Sequence, residues 1–358
     1  AGGAITTGEK NVVVGSAAAD ALTTADQCTA VGYGALGAAT TADSNTAVGY
    51  HSLAVNTSGT RNVSVGTENM VSNTTGSDNT AIGTGALANN TTAGNNTAVG
   101  RSALLANTTG AENVAIGKSA LSANTTANNN TAVGVNALLV NTTGLENIAI
   151  GNYALDANTT GTNSTAVGFN ALSANTTAVN NVAIGSQSMA SATTGGYNTA
   201  VGNNTLQAHT TGNYNVAIGE QALYAKTTAS NNTAVGASAL LANTTGASNT
   251  AVGHNAADAI TTSSYNVAIG GNSLGALTTG DGRNVSIGQG AMAAATTGAY
   301  NIGIGEGTLG GAALTGSNNV AVGATALDAA TTCHSTVAIG SNAFGALTTA
   351  DSNVAVGL

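Results

Sequence analysis

An all-β fold, a parallel β-solenoid of about 21 coils, is predicted by three observations: a short motif that returns every 17 residues, a side-chain pattern locked to that period, and a composition of small residues. The motif, ideally Asn-Thr/Val-Ala-Val/Ile-Gly, recurs 21 times with its closing glycine running from Gly15 to Gly357, and only the intervals Gly270 to Gly288 and Gly305 to Gly323 hold 18 residues. Numbered from the asparagine, the unit reads Asn, Thr/Val, Ala, Val/Ile, Gly, two variable, Ala/Ser, Leu, variable, Ala, Asn, Thr, Thr, Gly/Ala, two variable, as in 96–112. Seventeen residues are too few for a helix pair, which takes about 33 or more, and no 3.6-residue stripe is present. The chain holds 49 glycines, no proline and no tryptophan, and only 6% charged residues against the roughly 25% of an ordinary globular domain. With 42% hydrophobic residues it is nonetheless no disordered linker, and linkers do not hold phase over 21 copies.

Each segment of the unit has a physical assignment. The closing glycine and the Asn-Thr-Thr-Gly segment are read as corners, because Gly and Asn tolerate the positive backbone angles of tight turns. Two short strands are expected between them. Position 4 is Val or Ile in all 21 copies and position 9 is Leu, Met or Phe in 18 of 20, the exceptions being Ala19 and Ala257; both are read as core ladders. Of 21 charged side chains, 19 fall at positions 6, 7, 10, 16 and 17, which are therefore assigned to solvent; Lys226 and Arg283 fall elsewhere. Position 1 is Asn in 18 of 21 copies, replaced by Cys28, Ser164 and Thr336, and is read as a ladder of amides bonded from coil to coil.

The strand at positions 2 to 4 presents alternate residues to opposite faces, and both faces are apolar or small. Position 3 is Ala in 17 copies, otherwise Val13, Ser64, Ser286 or Gly303. A strand written this way is buried on both sides, yet a 17-residue coil encloses little volume. The ladder Val48, Val65, Ile82, Val99, Ile116, Val133, Ile150, Val167, Ile184, Val201, Ile218 and Val235 is thus expected to need cover from another chain. Stacked at 4.8 Å, the coils would make a rod of roughly 95 Å, and an open apolar ladder of that length exceeds the patch that soluble monomers expose. A threefold bundle sharing an axial core is favoured; two chains, or a cross-section that buries both faces internally, are the alternatives. The array 1–358 reads as one continuous repeat without separate domains and, lacking capping repeats, as a segment of a longer fibre.

The unit Asn45-Thr46-Ala47-Val48-Gly49 through Leu53 resembles the head repeats of trimeric autotransporter adhesins, and the Asn-Thr-Thr-Gly extension resembles arrays in phage tail-fibre-like and bacterial surface proteins. The resemblance spans essentially the whole chain. It implies a trimer of left-handed parallel β-rolls with the position-4 residues turned toward the trimer axis. The 17-residue coil is longer than the adhesin unit, and no stalk, anchor or chaperone segment accompanies it here.

Chemistry is sparse. A net charge of −9 offers no basic stripe for nucleic acid. Cys28 and Cys333 lie about 18 coils apart, far beyond the under-7 Å of a disulfide. His51, His209, His254 and His334 occupy four different repeat positions, the acids are scattered, and no metal set, nucleophile–base pair or phosphate loop is assembled, so neither a cofactor nor an enzymatic activity is expected. No apolar run approaches the roughly 20 residues of a membrane span. Three surface readings are weighed. Asn56, Asn73, Asn90, Asn107, Asn124, Asn141, Asn158, Asn175 and Asn243, at position 12, each match the glycosylation acceptor, although the turn needs Asn for its own hydrogen bonds. Tyr197 and Tyr214 share position 17 on consecutive coils and could stack on a glycan. The Thr-Thr doublet, its two side chains expected to point opposite ways, leaves an Asn-x-Thr row for an ice surface. The reading that results is a structural extracellular, cell-surface or virion fibre, an oligomeric and possible head-to-tail shaft; the alternatives are an adhesin that binds host glycan or receptor through its side, and an ice-binding protein.

Overall fold

The computed structural model describes residues 1–357 as an all-β chain of 21 three-residue strands, β1 (Val12–Val14) to β21 (Val354–Val356), each at positions 2 to 4 of its coil. Two compact units carry them: 1–179, ending on β10 (Thr165–Val167), and 180–358, beginning with β11 (Val182–Ile184). Within each unit successive strands pair in parallel without register shift. Thr97 of β6 (Thr97–Val99) faces Val114 of β7 (Val114–Ile116), Ala98 faces Ala115, and Val99 faces Ile116. The 18-residue interval between β16 (Val267–Ile269) and β17 (Val285–Ile287) keeps the same pairing, so its extra residue is absorbed in the turns. No helix is long and apolar enough to cross a membrane among the described residues.

The closing glycine makes the corner that the sequence predicts. Gly100 sits at φ 131°, a region closed to residues with a Cβ, and a Cβ there would lie 2.6 Å from the carbonyl oxygen of Gly117 on the next coil. The rest of the coil departs from the expected second strand. Positions 7, 9 and 17 adopt left-handed backbone, as Ser102 (φ 59°), Leu104 (φ 49°) and Glu112 (φ 60°) show, and a strand cannot contain such residues. Each coil therefore has one strand followed by a chain of turns. A leucine in this conformation costs about 1–2 kcal/mol. It persists because the Leu104 N–H bonds the Ala120 carbonyl of the next coil (3.0 Å) and its side chain fills the interior completely.

That interior is narrow. Ala98, Ala103 and Leu104 are its fully buried apolar residues in one coil, joined by the buried Asn96 and Asn107. Position 9 is thus a core ladder of the coil as read from the sequence, whereas position 4, which the sequence expected another chain to cover, lies outside the coil. Alanine at position 3 points inward, so positions 2 and 4 point outward, and Ile116 and Ile150 stay 39% and 40% exposed. Beneath the strand the interior holds small residues, alanine or the fully buried Ser64 and Ser286, and Val and Ile at positions 2 and 4 stand on the outer face.

Two amide ladders replace the missing apolar bulk. At position 1 the Asn45 Oδ1 accepts the Asn62 backbone N–H (2.9 Å), and the Asn62 Nδ2 crosses the coil to the Gly76 carbonyl (2.9 Å). At position 12 the Nδ2 of each asparagine from Asn73 to Asn175 donates to the Oδ1 of the preceding one, starting at Asn56, at 2.7–3.4 Å, and each also donates to the position-15 carbonyl of its own coil. A buried amide with all partners present contributes modestly, but an orphaned one costs about 1–3 kcal/mol. Replacing Asn107 by alanine removes the donor to the Asn90 Oδ1 and one of the two acceptors of the Asn124 Nδ2, which keeps the Ala127 carbonyl. The expected result is a loss of about 1–3 kcal/mol, read as faster hydrogen exchange confined to the coils on either side.

Candidate functional surfaces

The outward sheet face is the most extended feature. Rows 2 and 4 run side by side along each unit, and they contain no charged residue in any strand. The position-4 ladder residues Ile82, Ile116 and Ile150 in the first unit and Ile184 and Ile218 in the second are each 39–40% exposed. Parallel strands are ordinarily covered on both faces, and within one chain only the alanine side of these strands is covered.

The nine candidate glycosylation asparagines are all fully buried. In eight of them, Asn56 to Asn175, the Nδ2 that would carry a sugar donates to a carbonyl at the turn. Position 12 is therefore an interior rung in the folded chain, and the acceptor pattern arises because the rung and the two threonines that follow it are both structural. The threonines also differ from expectation. Position 12 points inward, and both threonines reach the surface: Thr108 is half-buried, with its Oγ1 donating to the Thr125 carbonyl (3.0 Å), and Thr109 is exposed. The turn, rather than a strand, sets their directions.

Side chains sharing a repeat position meet across coils. Tyr197 and Tyr214 stack at 5.1 Å with rings 17° apart, each about half exposed. The stack covers one face of each ring, so only the outer faces are open. Two clusters escaped the sequence reading. Tyr33 and Tyr50 at position 6 stack at 5.7 Å with His51 against them, and Arg283 lies between Tyr265 and Tyr300 at position 17, 5.2 and 5.3 Å from their ring centres. Shared repeat position on consecutive coils would have found the Tyr33–Tyr50 pair; Arg283 falls in the coil with the inserted residue, where its position breaks the count. Arg61 and Asp78, also at position 17, form an exposed ion pair at 2.6 Å, whose hydrogen bond lowers the Asp78 pKa.

Cys28 and Cys333 are free and buried. Cys28 takes the place of a position-1 asparagine, its Sγ reaching the Ala42 carbonyl (3.2 Å), and burial pushes its thiol pKa up. The described residues hold no group of three metal-ligating side chains and no pocket.

One stretch of the second unit breaks the interior pattern. Its position-12 rungs read Ala192, His209, Lys226, Asn243 and Ile260 in succession, and all five are buried. His209 Nε2 donates to the Gly212 carbonyl (2.8 Å), which leaves Nδ1 as a buried lone pair without a partner. Lys226 Nζ donates to the Asn215 Oδ1, and the next rung, Asn243, has neither amide atom paired. Burial pushes the Lys226 pKa down to about 7. Burial, with the nearby Lys226 charge, pushes the His209 pKa down to about 4. His209 is thus neutral in the fold while the unfolded chain takes up a proton near the usual 6.5. The unfolded state binds more protons between those values, so stability is lost as pH falls from 6.5 to 4. Hydrogen exchange around 198–220 is expected to accelerate over that window, and in a His209→Asn chain it should stay flat.

Comparison with protein-family models finds no match to this chain, and comparison with characterised proteins likewise finds none.

Proposed function

We propose that the chain is a non-enzymatic structural shaft of an extracellular, cell-surface or virion fibre, assembled from several copies that cover one another's outer sheet face. The observation that supports this reading most is the pair of uncharged β-branched rows left on the outer face of the coil. A face of that kind lowers its free energy by leaving water, at about 25 cal/mol per Å². The coil itself supplies stiffness, since each unit is held by parallel pairing, the position-1 amide ladder and a ladder of large apolar residues, and the first unit by the position-12 amide ladder as well. The surface positions 6, 7, 10, 16 and 17 are free to vary without disturbing these. Sedimentation of the purified chain should show an assembled species, and Ile116→Lys with Ile150→Lys should reduce it to single chains of unchanged circular dichroism. A wild-type chain that stays single at all concentrations would defeat the reading.

The structure's placement of both threonines at the surface favours ice binding more than the sequence did, and thermal hysteresis lost on Thr109→Lys is its test. Side-on glycan binding rests on the Tyr197–Tyr214 stack and would be lost on replacing both by alanine.

A further inference from the structure

The unit 180–358 holds an arginine fixed in place without an acid. Arg283 precedes Asn284 as Tyr265 precedes Asn266 and Tyr300 precedes Asn301, so in a coil lengthened by one residue it still takes the place of position 17. Gly282 makes this possible. Its carbonyl accepts the Tyr300 N–H (3.0 Å), the bond that Ala247 at position 16 of a regular coil makes with Tyr265, so Asp281 is the residue looped out. Gly282 stands at φ 71°, and a Cβ there would overlap the Ser264 carbonyl oxygen. The guanidinium carbon lies 5.2 Å from the Tyr265 ring centre and 5.3 Å from that of Tyr300, midway between tyrosines two coils apart. Its Nη1 donates to the Asp281 carbonyl (3.3 Å), so the looped-out residue orients the group. The rings cover the two sides of the guanidinium, and Arg283 stays exposed at its edge.

That edge is a planar fork of N–H donors of which the protein uses one. Among the described residues the ion pairs are Ala1 with Asp20 and Arg61 with Asp78, so Arg283 has no carboxylate partner. A fork whose motion is already restricted grips a carboxylate or sulfate at two points with less ordering cost than a free side chain. The tyrosines extend the site. They are 57% and 47% exposed, and the next places in their row are Ser248 and Asn318, small polar residues that leave the outer ring faces open. A tyrosine face carries negative π density, which attracts the C–H bonds on the flat side of a sugar ring. The serine hydroxyl and the asparagine amide can meet sugar hydroxyls. We propose that the row from Ser248 to Asn318 binds an acidic saccharide, its carboxylate or sulfate on the Arg283 fork and its rings on the outer faces of Tyr265 and Tyr300. Five places at 4.8 Å span about 19 Å, a length that suits an oligosaccharide. The described residues form no pocket, so an extended ligand gripped at several points fits this surface better than a small molecule. The adjoining position-16 column reads Ala247, Ser264, Gly282, Ala299 and Ser317, which leaves Asp281 as the one acid beside the row. The site uses no residue of rows 2 and 4 and none of the Tyr197–Tyr214 stack, so it stands apart from both readings above.

The test immobilises the full-length chain for surface plasmon resonance. Its probes are oligogalacturonate as a carboxylate saccharide, sulfated dextran as a sulfate one, uncharged dextran, and polyglutamate as an acidic peptide. Binding of oligogalacturonate or of sulfated dextran is expected, and which of them binds identifies the anion. Uncharged dextran and polyglutamate should bind at least about tenfold more weakly, each lacking one half of the recognition. Arg283→Lys keeps the charge and loses the fork, and it should weaken the saccharide about tenfold, as should Tyr265→Ala with Tyr300→Ala. Asp281→Asn removes the neighbouring negative charge and should strengthen binding. These side chains are exposed, and unchanged circular dichroism verifies the fold of each variant. Failure of both acidic saccharides to bind, equal binding of polyglutamate, full binding by Arg283→Lys, or loss of binding on Tyr197→Ala with Tyr214→Ala overturns the proposal. Sedimentation of the same variants should match that of the natural chain, so an unsuccessful binding test leaves the shaft reading untouched.

Discussion

A Lys226→Asn chain is expected to be markedly more stable than the natural one in the coils around 215–243. The lysine is fully buried, and its pKa falls from 10.5 to about 7 because the interior does not solvate an ammonium. At neutral pH and below, that shift corresponds to roughly 3 to 5 kcal/mol against the fold. Asparagine removes the charge and returns an Oδ1 to the rung below Asn243, whose Nδ2 now has no acceptor. The pH dependence has a definite sign. Between 7 and 10.5 the unfolded chain holds a proton on Lys226 that the folded chain has released, so the natural protein gains stability as pH rises through that window. It gains nothing further below 7, where both states are protonated. Hydrogen exchange of the 215–243 amides, followed from pH 6 to 9.5 after correction for intrinsic rates, should show protection rising with pH in the natural chain. His209, the other titrating group in this interior, is neutral in the fold over that range and takes up a proton only in the unfolded chain near 6.5, so the rise above pH 7 belongs to Lys226. An unchanged protection in Lys226→Asn at pH 7 would mean that the ammonium finds solvent.

Gly100→Ala is expected to break the first unit locally, at a cost of about 3 kcal/mol or more. Two penalties act together. The backbone at φ 131° is barred to alanine, and its Cβ would sit 2.6 Å from the Gly117 oxygen and 2.7 Å from the Gly117 carbonyl carbon. Neither atom can retreat, because Gly117 presses on Gly134 in the same way. Gly85→Ala is the matched control. It lies at φ 65°, its nearest neighbour is the flexible Leu105 Cδ1 at 3.7 Å, and other coils place Ser102 or Asn136 at the same position. Its cost should stay near 1 kcal/mol. Thermal melts followed by circular dichroism distinguish the two; equal destabilisation would contradict the corner geometry.

The legible part of the fold was the part that repeats with a chemical reason at each rung. Gly100 and its equivalents gave the corner, Leu104 the apolar ladder, and Asn96 the amide ladder, because only glycine, a large apolar group and an amide satisfy those places. The sequence left open which face of the strand lines the coil, since Val99 and Ile116 look like core residues to any reading based on hydrophobicity, and it resolved this only by expecting another chain to cover them. It also expected a second strand where Ser102 and Leu104 turn left-handed, a conformation for which serine and leucine carry no sequence signal. The Tyr33–Tyr50 pair was readable in principle from shared repeat position and the orphaned rung at Asn243 from the break in its ladder, whereas the inserted residue hid the Arg283 cluster from that count.

By itself the sequence determined the period, the coil and its parallel stacking, for a 17-residue repeat kept over 21 copies admits few other ways to satisfy its backbone. Only the tertiary structure decided which face of the strand looks inward. That choice depends on the width of the closed coil: the left-handed turns at positions 7 and 9 draw the Leu104 side chain under the strand, where space remains for a small residue such as alanine or serine.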